Sequence, residues 1–263
     1  MRLTVTLIAA IAGCALGLSG CGSSSGAKPP AAAPTASTVS GTVVVSAASS
    51  LKGTFSQLAT QFEAAHPGVK VTLNFGGSDS LAAQITGGAP VDVFAAASTK
   101  TMATVTAAKD GLAAPLNFAK NELEIALPPG NPRHVAALAD TVRPGVKLVL
   151  CAAAVPCGAA ATKAYAAAAL TPHPVSLEQD VKSVLTKVEL NEADAGLVYQ
   201  TDVKAAGSKV TGLVFPEAAQ AIATYPIVGV ATGRNPSAGA AFIRYVLSPQ
   251  GAAVLSAAGF LKP

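Results

Sequence analysis

The sequence has 263 residues, of which 51% are hydrophobic and 12% charged, and its formal net charge is +4. This composition excludes an intrinsically disordered chain, which would be poor in apolar residues and rich in charge. No run of about twenty apolar residues occurs beyond the N-terminus, which excludes a multi-span membrane protein. The positive charges form no Lys/Arg block, which argues against a nucleic-acid partner.

The first 40 residues have the pattern of an export signal followed by a tether. Residues 1–20 hold one positive residue, an apolar run and then small residues, as a secretory signal does. The segment Leu18-Ser19-Gly20-Cys21 resembles the bacterial lipobox, so Cys21 is the expected lipidation site; the alternative is an ordinary signal with a chance cysteine. Residues 22–40 are rich in Gly, Ser, Pro and Ala and predict a flexible linker. We therefore expect an exported domain, 41–263, anchored on the outer face of the cell membrane through lipid on Cys21.

Two cysteines remain for the mature domain. Cys14 would leave with the signal and Cys21 would carry the lipid, so Cys151 and Cys157 are left outside the reducing cytosol, six residues apart. The sequence leaves two alternatives: a disulfide that closes a short loop, or two free, partly buried thiols. A metal site on this pair is disfavoured because no histidine lies near it in the sequence.

Strand and helix patterns alternate from residue 43 onward. A buried strand is predicted at 43–45, and apolar residues spaced four, three and four apart from Leu51 to Phe62 predict a helix. Alternation over 69–75 predicts a second strand, and a helix carrying Leu81 and Ile85 leads to a third strand at 91–94. This β-α-β-α-β order predicts a largely parallel sheet with helices on both faces.

A second set of elements begins near 123–127. The patterns predict a strand at 146–150, an Ala-rich helix at 159–170, a helix capped by Asp180 at 181–188, strands at 196–199 and 227–230, and helices around 238–247 and 250–257. The chain is therefore expected to be an α/β protein of one or two domains.

Small residues at strand-to-helix junctions suggest an anion site. Ser50, Ser78 and Cys157 each lie at such a junction, and Val181 follows the N-cap-type Asp180. The first amides of a helix have no intrahelical partner and carry a partial positive charge, so several helix starts aimed at one point bind an anion without Lys or Arg. Each serine alone is more simply interpreted as a helix cap, and only the set favours a site.

One motif points instead to an enzyme. Ser49-Ser50-Leu51-Lys52 contains the S-x-x-K pattern of acyl-enzymes such as penicillin-binding proteins. Their S-D-N partner is represented only by Ser78-Asp79-Ser80, which follows too soon, and K-T-G does not occur. An enzyme is therefore the disfavoured alternative.

The sequence resembles the molybdate-binding proteins of bacterial ABC importers, which are two-lobed periplasmic binding proteins. The stretches that carry the resemblance are VSAASSLKGTFSQLATQF (45–62), NFGGSDSLAAQITGGAPVDVFAAA (74–97), VPCG (155–158), QDVKSVLTKVELNEADAGLVYQTD (179–202), YPIVGV (225–230) and FIRYVLSPQGAAVLSAAGF (242–260). The resemblance implies a type II periplasmic-binding-protein fold in which each lobe is a mixed, mostly parallel sheet flanked by helices. Lobe 1 would comprise 41–118 and 226–263, and lobe 2 would comprise 119–225.

The resemblance also implies a ligand and partners. By position, molybdate or tungstate would be held between the lobes by neutral hydroxyl and backbone amide donors of five residues: Ser50, Ser78, Cys157, Val181 and Tyr199. Cys157 stands where the family has alanine, and a backbone N–H can keep the role. Molybdenum would enter only within the bound oxyanion, with no other cofactor. The partners would be the permease and ATPase of an ABC importer, and the protein would be a monomer.

A site made only of donors selects among oxyanions. Hydrogen phosphate carries an O–H that needs an acceptor, and leaving it unmatched costs about 1–3 kcal/mol. Sulfate is smaller than molybdate, whereas tungstate is nearly the same size. Asp79 and Asp180 adjoin the predicted site, and either would admit phosphate if its carboxylate faced inward. A binding protein for sulfate or another oxyanion, or for ferric ion, remains an alternative.

Overall fold

Two five-stranded sheets with helices packed on them make up the computed structural model, which describes residues 39–263. The predicted signal peptide (1–20), the predicted lipidation site Cys21 and most of the predicted linker, residues 22–38, lie outside the described residues. Within 39–263, none of the helices has both the length and the apolar character needed to cross a membrane.

The elements follow one another in the predicted alternation. The strands are β1 (Gly41–Ala48), β2 (Val69–Gly76), β3 (Val93–Ala95), β4 (Leu116–Asn121), β5 (Leu123–Leu127), β6 (Leu148–Cys151), β7 (Ser176–Glu178), β8 (Ala195–Tyr199), β9 (Thr211–Leu213) and β10 (Ala223–Gly229). The α-helices are α1 (Lys52–Ala65), α2 (Ser78–Thr86), α3 (Thr99–Ala107), α4 (Pro156–Ala167), α5 (Val181–Glu189), α6 (Gln200–Ala206), α7 (Pro236–Val246) and α8 (Pro249–Ala258). A 3₁₀ turn, Ser49–Leu51, links β1 to α1.

Each sheet combines parallel and antiparallel pairing. The first has the order β2-β1-β3-β10-β4, in which β1 pairs in parallel with β2 and β3 while β10 runs antiparallel to β3 and β4. The second has the order β7-β6-β8-β5-β9, in which β6 pairs in parallel with β7 and β8 while β5 runs antiparallel to β8 and β9. The predicted two-lobed α/β fold with mixed sheets is confirmed.

The chain passes between the two sheets twice. It leaves the first sheet after β4 and returns to it with β10. The lobe boundaries expected at 118/119 and 225/226 fall inside these two strands, where Asn121 pairs with Ala223. We call the lobe built on the first sheet the first lobe and the other the second lobe.

The apolar face of α1 anchors the first lobe. Leu51, Phe55, Leu58 and Phe62 are fully buried, as their spacing predicts. The ring of Phe62 meets that of Phe242 on α7 edge-on, with centroids 5.4 Å apart. This packing holds α1, and the 3₁₀ turn that precedes it, against the first lobe.

Helix α4 begins and ends earlier than predicted. Instead of 159–170 it spans Pro156–Ala167, because proline is well suited to the first helical position, where its missing N–H is not needed. The helix ends before Ala169, which takes a left-handed φ of 53°. As a result Cys157 lies in the first turn of the helix rather than in the loop before it.

Candidate anion-binding site

A small cavity lies between the two lobes, with about 200 Å³ of atom-free space that includes part of its opening to solvent. Its lining from the first lobe is Ala48, Ser49, Ser50, Gly76, Gly77, Ser78 and Ala97, and from the second lobe Val155, Pro156, Cys157, Asp180, Val181 and Tyr199. The structure thus brings together all five residues predicted to bind the ligand, although they come from positions 50 to 199 of the chain.

The parallel strands explain why these residues converge. In the first sheet β1 and β2 end side by side, with Ala48 paired to Gly76, and the next helical segment starts directly after each. In the second sheet β6 and β8 also run in parallel. Segments that follow the carboxyl ends of parallel strands lie along one edge of the sheet, which is where open α/β sheets bind ligands.

Helix starts provide the positive potential of the cavity. Helices α2, α4 and α5 begin at Ser78, Pro156 and Val181, all of which line it. Their first-turn amides have no intrahelical acceptor, and each helix dipole adds about half a positive charge at this end. None of the lining residues is Lys, Arg or His, so the attraction for an anion comes from backbone dipoles and hydroxyl groups.

The Asp180 carboxylate caps its own helix, α5. Its Oδ1 accepts the N–H groups of Lys182 (2.8 Å) and Ser183 (3.1 Å), and its Oδ2 accepts the Ser183 hydroxyl (3.0 Å). The cap therefore takes the second and third amides of α5 and leaves the first, that of Val181, to the cavity. Asp79, the other carboxylate near the site, does not line the cavity, although its Oδ1 is buried without a hydrogen-bond partner in the described chain.

Ser50 and Ser78 are both held by bonds inside the first lobe. The Ser78 hydroxyl oxygen accepts the Ala97 N–H at 3.0 Å, so its own proton remains available for donation. The Ser50 hydroxyl lies 2.9 Å from the hydroxyl of Tyr225. Both serines are more than nine-tenths buried, so a ligand in the cavity would meet them with little competition from water.

Tyr199 presents an unsatisfied hydroxyl to the cavity. The side chain is 1% exposed, and among residues 39–263 its hydroxyl finds no hydrogen-bond partner. Burial raises the pKa of Tyr199 well above its ordinary value, and the nearby Tyr225 and Asp202 raise it further. The group is therefore a neutral donor. The Asp202 carboxylate accepts the Tyr199 N–H at 3.2 Å and fixes the backbone at this point.

Cys151 and Cys157 form a disulfide, with their Cα atoms 5.7 Å apart. The bond joins the end of β6 to the first turn of α4. Of the two alternatives left open by the sequence, the structure contains the disulfide. With its sulfur in that bond, Cys157 has only its backbone N–H to donate.

The S-x-x-K pair is not assembled as an acyl-enzyme would need. Ser49 and Ser50 line the cavity between the lobes, whereas Lys52 is exposed and lines a separate surface depression with Lys182. Nor do the residues that the structure describes contain a group of three His, Cys, Asp or Glu side chains able to hold a metal ion.

The family profile of bacterial extracellular solute-binding proteins matches residues 43–261. The chain belongs to this family. The molybdate-binding protein ModA of Mycobacterium tuberculosis is 43% identical over 249 residues, which are 94% of either chain. The resemblance inferred from the sequence motifs is thereby confirmed.

Two solved structures share the fold of this solute-binding protein. The periplasmic molybdate-binding protein of Azotobacter vinelandii superposes with a TM-score of 0.74 at 22% identity, covering 84% of this chain and 99% of that one. The sulfate-binding protein SubI of Mycobacterium tuberculosis gives 0.75 at 18% identity, covering 83% and 86%. These values show the fold alone, which does not by itself distinguish molybdate from sulfate.

Several residues of the site are not marked by any motif in the sequence. Gly77 and Ala97 complete the wall around Ser78. The sequence features that could have indicated them are the glycine pair before Ser78, for Gly77, and the end of the strand VDVFAAA, for Ala97. Tyr225 and Asn121, which lie behind Ser50, had no local signal because they come from strands far away in the sequence.

Proposed function

We propose that this solute-binding protein binds molybdate, and equally tungstate, between its two lobes and delivers it to an ABC permease. The observation that carries the proposal is the donor set. Hydroxyl groups and first-turn amides from both lobes face one cavity that has no cationic side chain in its lining. The neutral Tyr199 hydroxyl among them has no partner within the described chain and would gain one from an anion oxygen.

The size and chemistry of the cavity favour a small, fully deprotonated oxyanion. The cavity encloses little free space and its walls are mostly small residues, which suits a small ion rather than a drug-sized ligand. Asp180, the one carboxylate in the lining, accepts hydrogen bonds from its own helix and is not available to a protonated ligand. The 43% identity to a molybdate-binding protein supports molybdate over sulfate as the ligand.

Calorimetric titration of the purified protein tests this proposal. We expect tight one-to-one binding of molybdate and tungstate, much weaker binding of sulfate and no detectable heat from phosphate. Sulfate binding as tight as molybdate binding would contradict the proposal and would point to a sulfate carrier.

We further propose that the protein acts on the outer face of the cell membrane, as a monomer anchored by lipid on Cys21 and without a cofactor, beside the permease and ATPase of the importer. In the native host, Cys21→Ser should release the protein from the membrane fraction or leave an unprocessed precursor. A variant that is still processed and membrane-bound would refute the anchor while leaving molybdate binding untouched.

A further inference from the structure

A short chain of hydrogen bonds leads from the interior of the first lobe to Ser50. The Tyr225 hydroxyl lies 2.9 Å from the Ser50 hydroxyl, and the Asn121 side-chain nitrogen lies 3.4 Å from the Tyr225 hydroxyl. Asn121 and Tyr225 are fully buried, and neither lines the cavity. Neither would touch a ligand directly, and their hydrogen bonds reach the cavity through Ser50.

The orientation of the Asn121 amide determines which group donates in the bond between Asn121 and Tyr225. Its Oδ1 accepts the Glu122 N–H at 3.0 Å, and a backbone N–H is always a donor. The opposite atom is therefore the amide nitrogen, which donates to Thr201 at 2.8 Å and to Tyr225. An amide nitrogen has no acceptor capacity, so Tyr225 must accept in this bond.

The donor in the bond between Tyr225 and Ser50 follows from the bond between Asn121 and Tyr225. Because the Tyr225 oxygen accepts from Asn121, its own proton needs another acceptor. Two hydroxyls lie near it, and Ser50 at 2.9 Å is the better placed, since that of Tyr199 does not meet the distance and angle of a hydrogen bond. Ser50 thus accepts from Tyr225, and the Ser50 proton is left to point into the cavity. Ser78 reaches the same state by another route, since its oxygen accepts the Ala97 N–H.

We propose that Asn121 and Tyr225 are positioning residues that hold Ser50 as a donor and thereby set the specificity for fully deprotonated anions. This inference rests on the proposed function and explains its selectivity. A serine hydroxyl that could turn would offer a lone pair to the P–OH of hydrogen phosphate. The bond from Tyr225 takes one lone pair of Ser50 and turns its proton towards the cavity, so Ser50 meets such a ligand as a donor rather than as an acceptor.

The packing around Tyr225 keeps the chain in place. Its ring meets those of Phe118, Tyr199 and Phe260 at centroid distances of 6.2, 6.1 and 5.3 Å, all near perpendicular. The ring has no room to swing, so its hydroxyl stays in line with Ser50. Burial also raises the pKa of Tyr225 well above its ordinary value, which keeps the proton on the hydroxyl.

Tyr225→Phe tests the proposal because it keeps the ring and removes the bond to Ser50. Molybdate affinity should fall only about 3- to 10-fold, since Ser50 can still donate. The freed Ser50 lone pair should also accept from hydrogen phosphate, so the ratio of molybdate to phosphate affinity should fall by roughly ten-fold or more. The ratio is measured by displacing molybdate with phosphate in mildly alkaline buffer, where phosphate is mostly the singly protonated dianion.

Tyr165→Phe is the matched control. Tyr165 is also buried, and its hydroxyl lies 2.7 Å from that of Thr141 in the second lobe, outside the cavity lining. The Tyr165→Phe variant should lose thermal stability as Tyr225→Phe does, but its ratio of molybdate to phosphate affinity should stay unchanged. A second variant, Asn121→Leu, frees Tyr225 to accept from Ser50 and should lower the ratio in the same direction.

The outcomes separate this inference from the proposed function. If the parent protein binds no molybdate, the proposed function is wrong and this inference is wrong with it. If the parent binds molybdate but Tyr225→Phe and Asn121→Leu weaken molybdate and phosphate equally, the two residues only support the fold and the positioning role is overturned. A variant that does not fold is recognised by its thermal transition, and the other variant then decides.

Discussion

Tyr199 shows at the scale of one residue how binding can conflict with stability. Nearly all buried polar groups in folded proteins have a hydrogen-bond partner, and a buried group without one costs about 1–3 kcal/mol. The Tyr199 hydroxyl is buried at the end of β8 without a partner in the described chain. A ligand oxygen in the cavity would satisfy it, so its cost to the fold becomes a contribution to binding.

Replacing Tyr199 by Phe should therefore affect binding much more than folding. A hydrogen bond to a charged group contributes about 1.5–3 kcal/mol, so molybdate affinity should fall roughly 10- to 150-fold in calorimetry. The thermal midpoint without ligand should stay the same or rise, because no internal hydrogen bond of this hydroxyl is lost. Lys52→Ala is the control and should leave affinity nearly intact, whereas unchanged affinity in Tyr199→Phe would remove this residue from the site.

Binding should also be independent of pH near neutrality. A tyrosine donates only while it is protonated, and burial raises the pKa of Tyr199 above its ordinary value, which moves the loss of its proton to more alkaline solution. Affinities measured by titration from about pH 6 to 8 should thus agree within a factor of about three. A ten-fold change in affinity over this pH range would mean that an ionisable group of the protein takes part directly in binding the ligand.

The sequence could indicate the residues that line the cavity and are proposed to bind the ligand, but not what orients them. Ser50, Ser78, Cys157, Val181 and Tyr199 stand in motifs or at junctions that a reader can find. By contrast, the bond between Ser50 and Tyr225 joins residues 175 positions apart, and no local pattern marks it. Such a role depends on strand pairing and on the orientation of one amide, which only a three-dimensional structure supplies.

At the scale of elements, the site depends on where helices start. The apolar periodicity predicted α1 and α5 well, because their buried faces repeat at helical spacing. It did not find the start of α4, whose Ala-rich sequence has no apolar stripe, or α3, where Met102 and Val105 are the only large apolar residues of the helix that are buried. The start of α3 is marked instead by the cap at Ser98, which accepts the Thr101 N–H.

The disulfide should stabilise the start of α4 without being needed for binding. Its sequence separation is six, and closing a loop of that size contributes about 2 kcal/mol in the chain-entropy model. The double variant Cys151→Ala with Cys157→Ala should lose about that much unfolding free energy in denaturant titrations. Molybdate affinity should change less than about three-fold, because the proposed donor at Cys157 is a backbone amide. A loss as large as that of Tyr199→Phe would show that the bond itself positions the donor.

At the scale of the whole molecule, the described structure has its lobes in contact across the cavity. Gly77 in the first lobe faces the backbone of Gln179 in the second so closely that a Cβ on Gly77 would lie 2.3 Å from the Gln179 carbonyl oxygen. Glycine is not needed here for its conformational freedom, since its φ is −63°. It is needed for the approach of the two lobes. A ligand that binds groups on both lobes favours this closed arrangement over an open one.

Gly77→Ala should for this reason oppose closure while leaving each lobe intact. The added methyl group must displace the lobes or distort the loop, and overpacking of this kind costs about 1–3 kcal/mol, so molybdate affinity should fall roughly 5- to 150-fold. Small-angle scattering with saturating molybdate should show a larger radius of gyration than for the parent protein. Gly53→Ala is the matched control, because a Cβ there meets nothing within 4 Å and should only raise the stability of α1. Full affinity and full compaction in Gly77→Ala would mean that the lobes do not need this close approach to hold the ligand.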